Sequence, residues 1–194
     1  MSCINKVILV LALILLGSAI SLSQTKSVEN IESEIANLKN PQPFSVHYNN
    51  RKDITTIKLS ISLRGESKIL RKRFKELFLE TSTIYSGIGI DDKPFRNLIC
   101  IKTRAKKFYF SNDRNLSIGL DEDALNLPNG NRSTKVRGRK IRETICWDIN
   151  RKLIEDLSQS GKMNLGIGSL SISLSDTQLK LLRDYAKLLR VKKG

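Results

Sequence analysis

One histidine, three cysteines and 19 acidic side chains bound the chemistry open to this chain. A nucleophile–histidine device needs an imidazole base, and the sole candidate is His47. It lies in the extended segment Phe44-Ser45-Val46-His47-Tyr48, after two prolines, where a half-exposed sheet residue is the simpler reading. No C-x-x-C or H-E-x-x-H pattern occurs, and the donors do not make a zinc set. The nucleophile elbow G-x-S-x-G and the P-loop G-x-x-x-x-G-K-[ST] are also missing. Asp113, Asn115 and Ser117 open like a calcium loop, but Ile118 and Ala124 stand where an EF-hand requires Gly and Glu. Asp121-Glu122-Asp123 could meet a hard cation, although an acidic turn between strands accounts for it. Asp91-Asp92 reads as a pair of solvated turn acids. Gly87-x-Gly89 and Gly166-x-Gly168 lack the third glycine and the βαβ setting of a dinucleotide site, and tight turns or bulges suffice. No cofactor and no catalytic activity are expected.

The cations are the pronounced feature. Lys and Arg total 34, for a formal charge of +15. Arg64, Lys68, Arg71, Lys72, Arg73 and Lys75 form one cluster, and Lys102, Arg104, Lys106 and Lys107 a second. Arg132, Lys135, Arg137, Arg139, Lys140 and Arg142 form a third, in a stretch without an acid. Such clusters can hold phosphates, anionic headgroups or acidic polysaccharide by long-range attraction. Stacking aromatics are sparse, since only Phe108 to Phe110 adjoins a basic run, so dedicated nucleic-acid recognition is not expected. Whether the clusters gather at one concavity or spread over the surface separates a polyanion binder from a merely solvated positive protein.

Position in the chain supplies the compartment. Lys6 precedes an apolar run from Val7 to Leu16, and small residues follow up to Ser21-Leu22-Ser23. This describes a secretory signal peptide over residues 1–23 and a secreted or periplasmic protein. The alternative is an anchor formed by residues 7–25, which is marginal in length for a bilayer. Cleavage would remove Cys3 and leave Cys100 and Cys146, an even pair in a disulfide-permissive compartment. A bond requires Cα atoms within about 7 Å. Cys100 sits in the apolar run Leu98 to Ile101. Cys146 points away from the face that Ile145 and Trp147 share, so a bridge requires Cys146 to face the layer carrying Cys100; the alternative is two buried free cysteines packed as small apolar residues.

Residues 24–43 read as a short helix or linker, and 44–194 as a single β-rich domain. Ile57, Leu59, Ile61 and Leu63 alternate with polar residues, the clearest strand signal. Residues 68–80 fit either a basic amphipathic helix or a strand, with strand favoured from Leu77 onward. Further strands are expected at Leu98–Thr103, Lys107–Phe110, Leu116–Leu120, around Ile145–Ile149, and around Leu165–Ile167 and Leu170–Leu174. Leu127-Pro128-Asn129-Gly130 signals a turn. A helix is expected at about Arg151–Gln159, closed by Gly161 as its C′ glycine, and Ser175-Asp176-Thr177-Gln178 is a capping box opening a C-terminal helix. The sum is a mainly β fold, an antiparallel sandwich or barrel-like sheet with a short helix and a C-terminal helix.

Four segments carry a resemblance: Leu98-Ile99-Cys100-Ile101, Phe108-Tyr109-Phe110, Ile145 to Leu157, and Leu170 to Leu189. Together they resemble a loose group of small exported bacterial β-domain proteins of uncharacterised function. The resemblance implies a fold and a compartment and no activity. The expected function is an exported, non-enzymatic domain of binding or envelope-structural type, with an envelope protein or a polyanion as partner. The alternative is a polyanion binder working through Arg71, Lys72 and Arg73 together with the Arg132–Arg142 cluster.

Overall fold

The computed structural model describes residues 26–65, 67–91, 93–110 and 113–190. Two antiparallel sheets carry the fold, and neither closes into a barrel. The larger is built from β1 (Phe44–Asn49), β2 (Ile54–Ser62), β3 (Phe74–Ser86), β4 (Arg96–Ala105), β7 (Asn131–Arg137) and β8 (Lys140–Ile149), in the order β1-β2-β3-β4-β8-β7. The smaller contains β5 (Leu116–Leu120), β6 (Asp123–Leu127), β9 (Met163–Ile167) and β10 (Leu170–Ser173), in the order β10-β9-β5-β6. The helices are α1 (Val28–Ala36), α2 (Lys68–Arg73), α3 (Arg151–Gln159) and α4 (Asp176–Leu188). This is the sandwich-like, mainly β fold that the alternation implies.

Alternation sets the two faces of the large sheet. Ile57, Leu59 and Ile61 of β2 stand opposite Thr83, Thr81 and Leu79 of β3, and the last two stand opposite Ile99 and Ile101 of β4. These side chains are buried, whereas Lys58, Ser60 and Ser62 between them turn outward. Ile31 and Ile35 of α1, Leu153 and Leu157 of α3, and Leu179, Leu182 and Ala186 of α4 join the same apolar cluster as the inner residues of both sheets. Val28–Ala36 is therefore a helix docked in the core. Tyr185 of α4 is wholly buried and donates to the Ile57 carbonyl at 3.1 Å, with Thr83 Oγ1 2.9 Å away. Burial pushes its phenol well above the ordinary value.

Ends follow local chemistry. Ser175 and Gln178 form the expected reciprocal capping box on α4, and Asn150 caps α3 by accepting from the Leu153 amide at 2.8 Å. Gly161 is not a left-handed C′ residue; Ser160 closes α3 in an extended conformation, and the Gly161 amide donates to Asp121 instead. Asn129 takes φ 52° in the β6–β7 turn, and Gly130 is required for a different reason. A Cβ there would lie 2.5 Å from both Ile145 and Trp147.

The ambiguous segment 68–80 resolves at Phe74. Ser67 caps α2 by accepting from the Leu70 amide, and the strand begins at Phe74, three residues before Leu77. The register jumps between Phe74↔Ala105 and Glu76↔Arg104, so Lys75 is a bulged residue outside the ladder. Arg64 Nη1 satisfies its stranded carbonyl at 2.6 Å. The expected strand Lys107–Phe110 does not form. Its backbone is held by a side chain, as described below.

Cys100 and Cys146 are bonded, with Cα atoms 4.1 Å apart. The geometry differs from the expected bridge between layers. The two residues stand directly opposite on neighbouring strands β4 and β8, on the outer face of one sheet. Cys146 does point away from Ile145 and Trp147.

Candidate polyanion site

Three connections meet at one end of the large sheet: α2 between β2 and β3, the chain after β4, and the β7–β8 turn. The register explains why. Phe74, Ala105, Ile141 and Val136 form a single row across β3, β4, β8 and β7, so the segments flanking them are neighbours in space. These flanks are the three basic clusters.

A cleft of about 390 Å³ opens there. Arg71, Lys72 and Arg73 of α2, the bulged Lys75, Arg104, Lys106, Lys107, and Arg139 with Lys140 form its wall, while Phe74, Ala105 and Tyr109 supply the apolar part. No acid lines it. The Phe74 and Tyr109 rings pack with centroids 4.4 Å apart, and Lys107 Nζ lies 5.2 Å above the Tyr109 ring. Beside this cleft, sharing Arg104 and Lys140, a second hollow of about 320 Å³ is lined solely by Arg104, Lys135, Arg137, Lys140 and Arg142. Like charges crowded around a concavity add their fields inside it, which favours an anion there over bulk water.

Of the expected site residues, Arg71, Lys72, Arg73, Arg139 and Lys140 share the cleft, and Lys135, Arg137 and Arg142 border the adjoining hollow. Arg132 does not belong with them. It falls on the inner parity of β7, where its guanidinium meets Glu143 of β8 at 2.7 Å and stacks 5.4 Å from the centre of Phe108. Glu143 is only 1 % exposed, and its other oxygen accepts from the Tyr109 amide at 2.7 Å. That bond anchors residues 106–110, which explains the missing strand and fixes the cleft's aromatic floor. Two other cations on the outer face are neutralised, Arg104 by Glu76 at 2.5 Å and Lys102 by Glu80. For Lys72, Arg73, Lys75, Arg137, Arg139 and Lys140, no acidic partner exists among the described residues.

No family model, curated protein or solved structure matches this chain.

The weaker candidates lie elsewhere. His47 is exposed on the edge strand β1, not half-buried. Asp113 forms a local turn, accepting from the Asn115 amide at 2.9 Å. Asp92 lies outside the described residues, whereas Asp91 accepts from the Lys93 amide. Gly87 and Gly89 turn tightly with positive φ around Thr55, whose hydroxyl bridges the Gly87 carbonyl and the Gly89 amide. Among the described residues no group of His, Cys, Asp and Glu could hold a metal ion, and no helix is long and apolar enough to cross a membrane.

Asp121 of the acidic turn is a clamp. It accepts from the Gly161 and Lys162 amides and from the Ser160 hydroxyl, joining the β5–β6 turn to the chain after α3. The Gly161 amide, foremost, holds its carboxyl below the ordinary value of 3.8. A depressed carboxylate stabilises the fold above its unfolded pKa and loses that effect as pH falls through the folded one. Hydrogen exchange at Gly161 and Lys162 should therefore accelerate as pH drops below about 4, relative to reference amides in the core. In Asp121→Ala these two amides should be poorly protected at neutral pH as well. Equal protection in both proteins would exclude the clamp.

Proposed function

We propose that this chain is an exported, non-enzymatic binding domain whose basic end captures anionic groups on a polymer or surface. The observation that carries the reading is convergence: three clusters far apart in sequence line one cleft without an acid. A merely solvated positive surface has no reason to concentrate cations at a concavity, because like charges at short range repel. Export rests on the N-terminal pattern of Lys6, the Val7–Leu16 run and Ser21/Ser23.

Neutralising Arg137, Arg139 and Lys140 together to serine tests the site. A control of equal net charge changes Arg51, Lys52 and Lys93, which are exposed near the opposite end of the sheet. The site variant should elute from heparin at markedly lower salt than the control. The slope of log affinity against log salt should fall by about two to three, roughly one per lost contact. Identical elution of the two variants would reduce the interaction to generic ion exchange and end the proposal.

A further inference from the structure

Exposed aliphatic side chains occur at the same end of the sheet as the cationic cleft. Ile69 is 64 % exposed on α2, two residues before Arg71, and Val136 is 59 % exposed on β7, on the sheet face opposite to the side chains of Lys135 and Arg137. Val136 ends the row Phe74–Ala105–Ile141–Val136, whose first three members are buried. The apolar floor thus continues to the rim and emerges there as an uncovered side chain. Phe108, 47 % exposed, lies on the segment that borders the same cleft. A site for a soluble, heavily hydrated polyanion gains nothing from projecting aliphatics. An anionic bilayer surface rewards both features, since cations meet headgroup phosphates while aliphatic side chains enter the boundary beneath them.

We infer that the basic end docks on a membrane surface rich in anionic phospholipid, with Ile69 and Val136 as the inserting side chains. This deepens the polyanion reading and rests on it. The cations supply attraction over about a Debye length, and the two aliphatics convert that attraction into seated contact. Binding is therefore only partly suppressed by salt, unlike retention on heparin.

Sedimentation with vesicles of phosphatidylcholine, with and without added phosphatidylglycerol, provides the test, and heparin elution runs in parallel. The wild-type chain should bind the phosphatidylglycerol vesicles and leave the neutral ones. Ile69→Ser with Val136→Ser changes no charge; it should weaken vesicle binding at least tenfold and leave heparin elution unchanged. Val136→Ser alone, at an exposed edge-strand position, should give a smaller loss of the same kind. Phe95→Ser removes an apolar side chain 71 % exposed at the opposite end of the sheet and should have no effect. Vesicle binding that survives the double substitution, or that falls equally with Phe95→Ser, overturns the membrane inference while heparin retention keeps the polyanion reading. Failure of the wild type on both vesicles and heparin overturns both.

Discussion

Glu143→Ala should lower the unfolding free energy by about 3–5 kcal/mol, the cost typical of breaking a buried ion pair from one side. The carboxylate is almost wholly enclosed and accepts from Arg132 Nη2, Arg132 Nε and the Tyr109 amide. Removing it strands a half-buried guanidinium and an amide at once, and neither can be fully rehydrated without opening the packing. Glu143→Gln keeps an acceptor of the same shape and should cost clearly less. Denaturant titration distinguishes the two, and an equal midpoint for alanine and wild type would show the pair to be dispensable. Heparin retention should fall further for alanine than for glutamine, because Tyr109 and Lys107 lose their tether.

The second large effect is expected from Cys100→Ala with Cys146→Ala. The bond closes a segment of 46 residues, for which the chain-entropy model gives about 4 kcal/mol. Cys100 is buried, 5 % exposed, and makes apolar contact that the alanine loses. The oxidised protein, denatured without reductant, should present neither of these thiols to an alkylating reagent. Detection of both by mass spectrometry would contradict the bridge, and an unchanged unfolding midpoint would contradict its contribution.

What was legible in the sequence is what neighbours in sequence decide. Ile57 to Leu63 alternates and forms a strand; Ser175 and Gln178 cap each other across one turn; Asn150 opens α3 where the helix was expected. The cleft depends on something else, the register that lines up Phe74, Ala105, Ile141 and Val136 from four strands. No local pattern encodes that alignment, so the basic clusters were visible while their convergence was not. Lys107–Phe110 failed as a strand for a related reason, since aromatic content favours a ladder only where a partner edge is free, and Glu143 holds this backbone instead. The one available clue to Glu143 was its parity with Ile141, Ile145 and Trp147, which places an acid on the buried side of an apolar face. The same parity, applied to β7, separates Arg132 from Lys135 and Arg137. Cys100 and Cys146 are the pair that remains once Cys3 is assigned to a leader, but their setting on one sheet is not legible, because sequence does not reveal that β4 and β8 are adjacent.

The bridge between Lys26 and Ile90 carries a practical consequence. Its amide–carbonyl pair, 2.9 Å in both directions, pins the first described residue beside the end of β3 that lies farthest from α2. β3 is 13 residues long, about 40 Å at roughly 3.3 Å per residue. A biotin, dye or resin linkage attached at Lys26 would therefore start from the pole opposite the cationic cleft. Immobilised that way, the protein presents its basic end outward to the mobile phase, and the intervening sheet acts as a stiff spacer that keeps a charged matrix from masquerading as ligand.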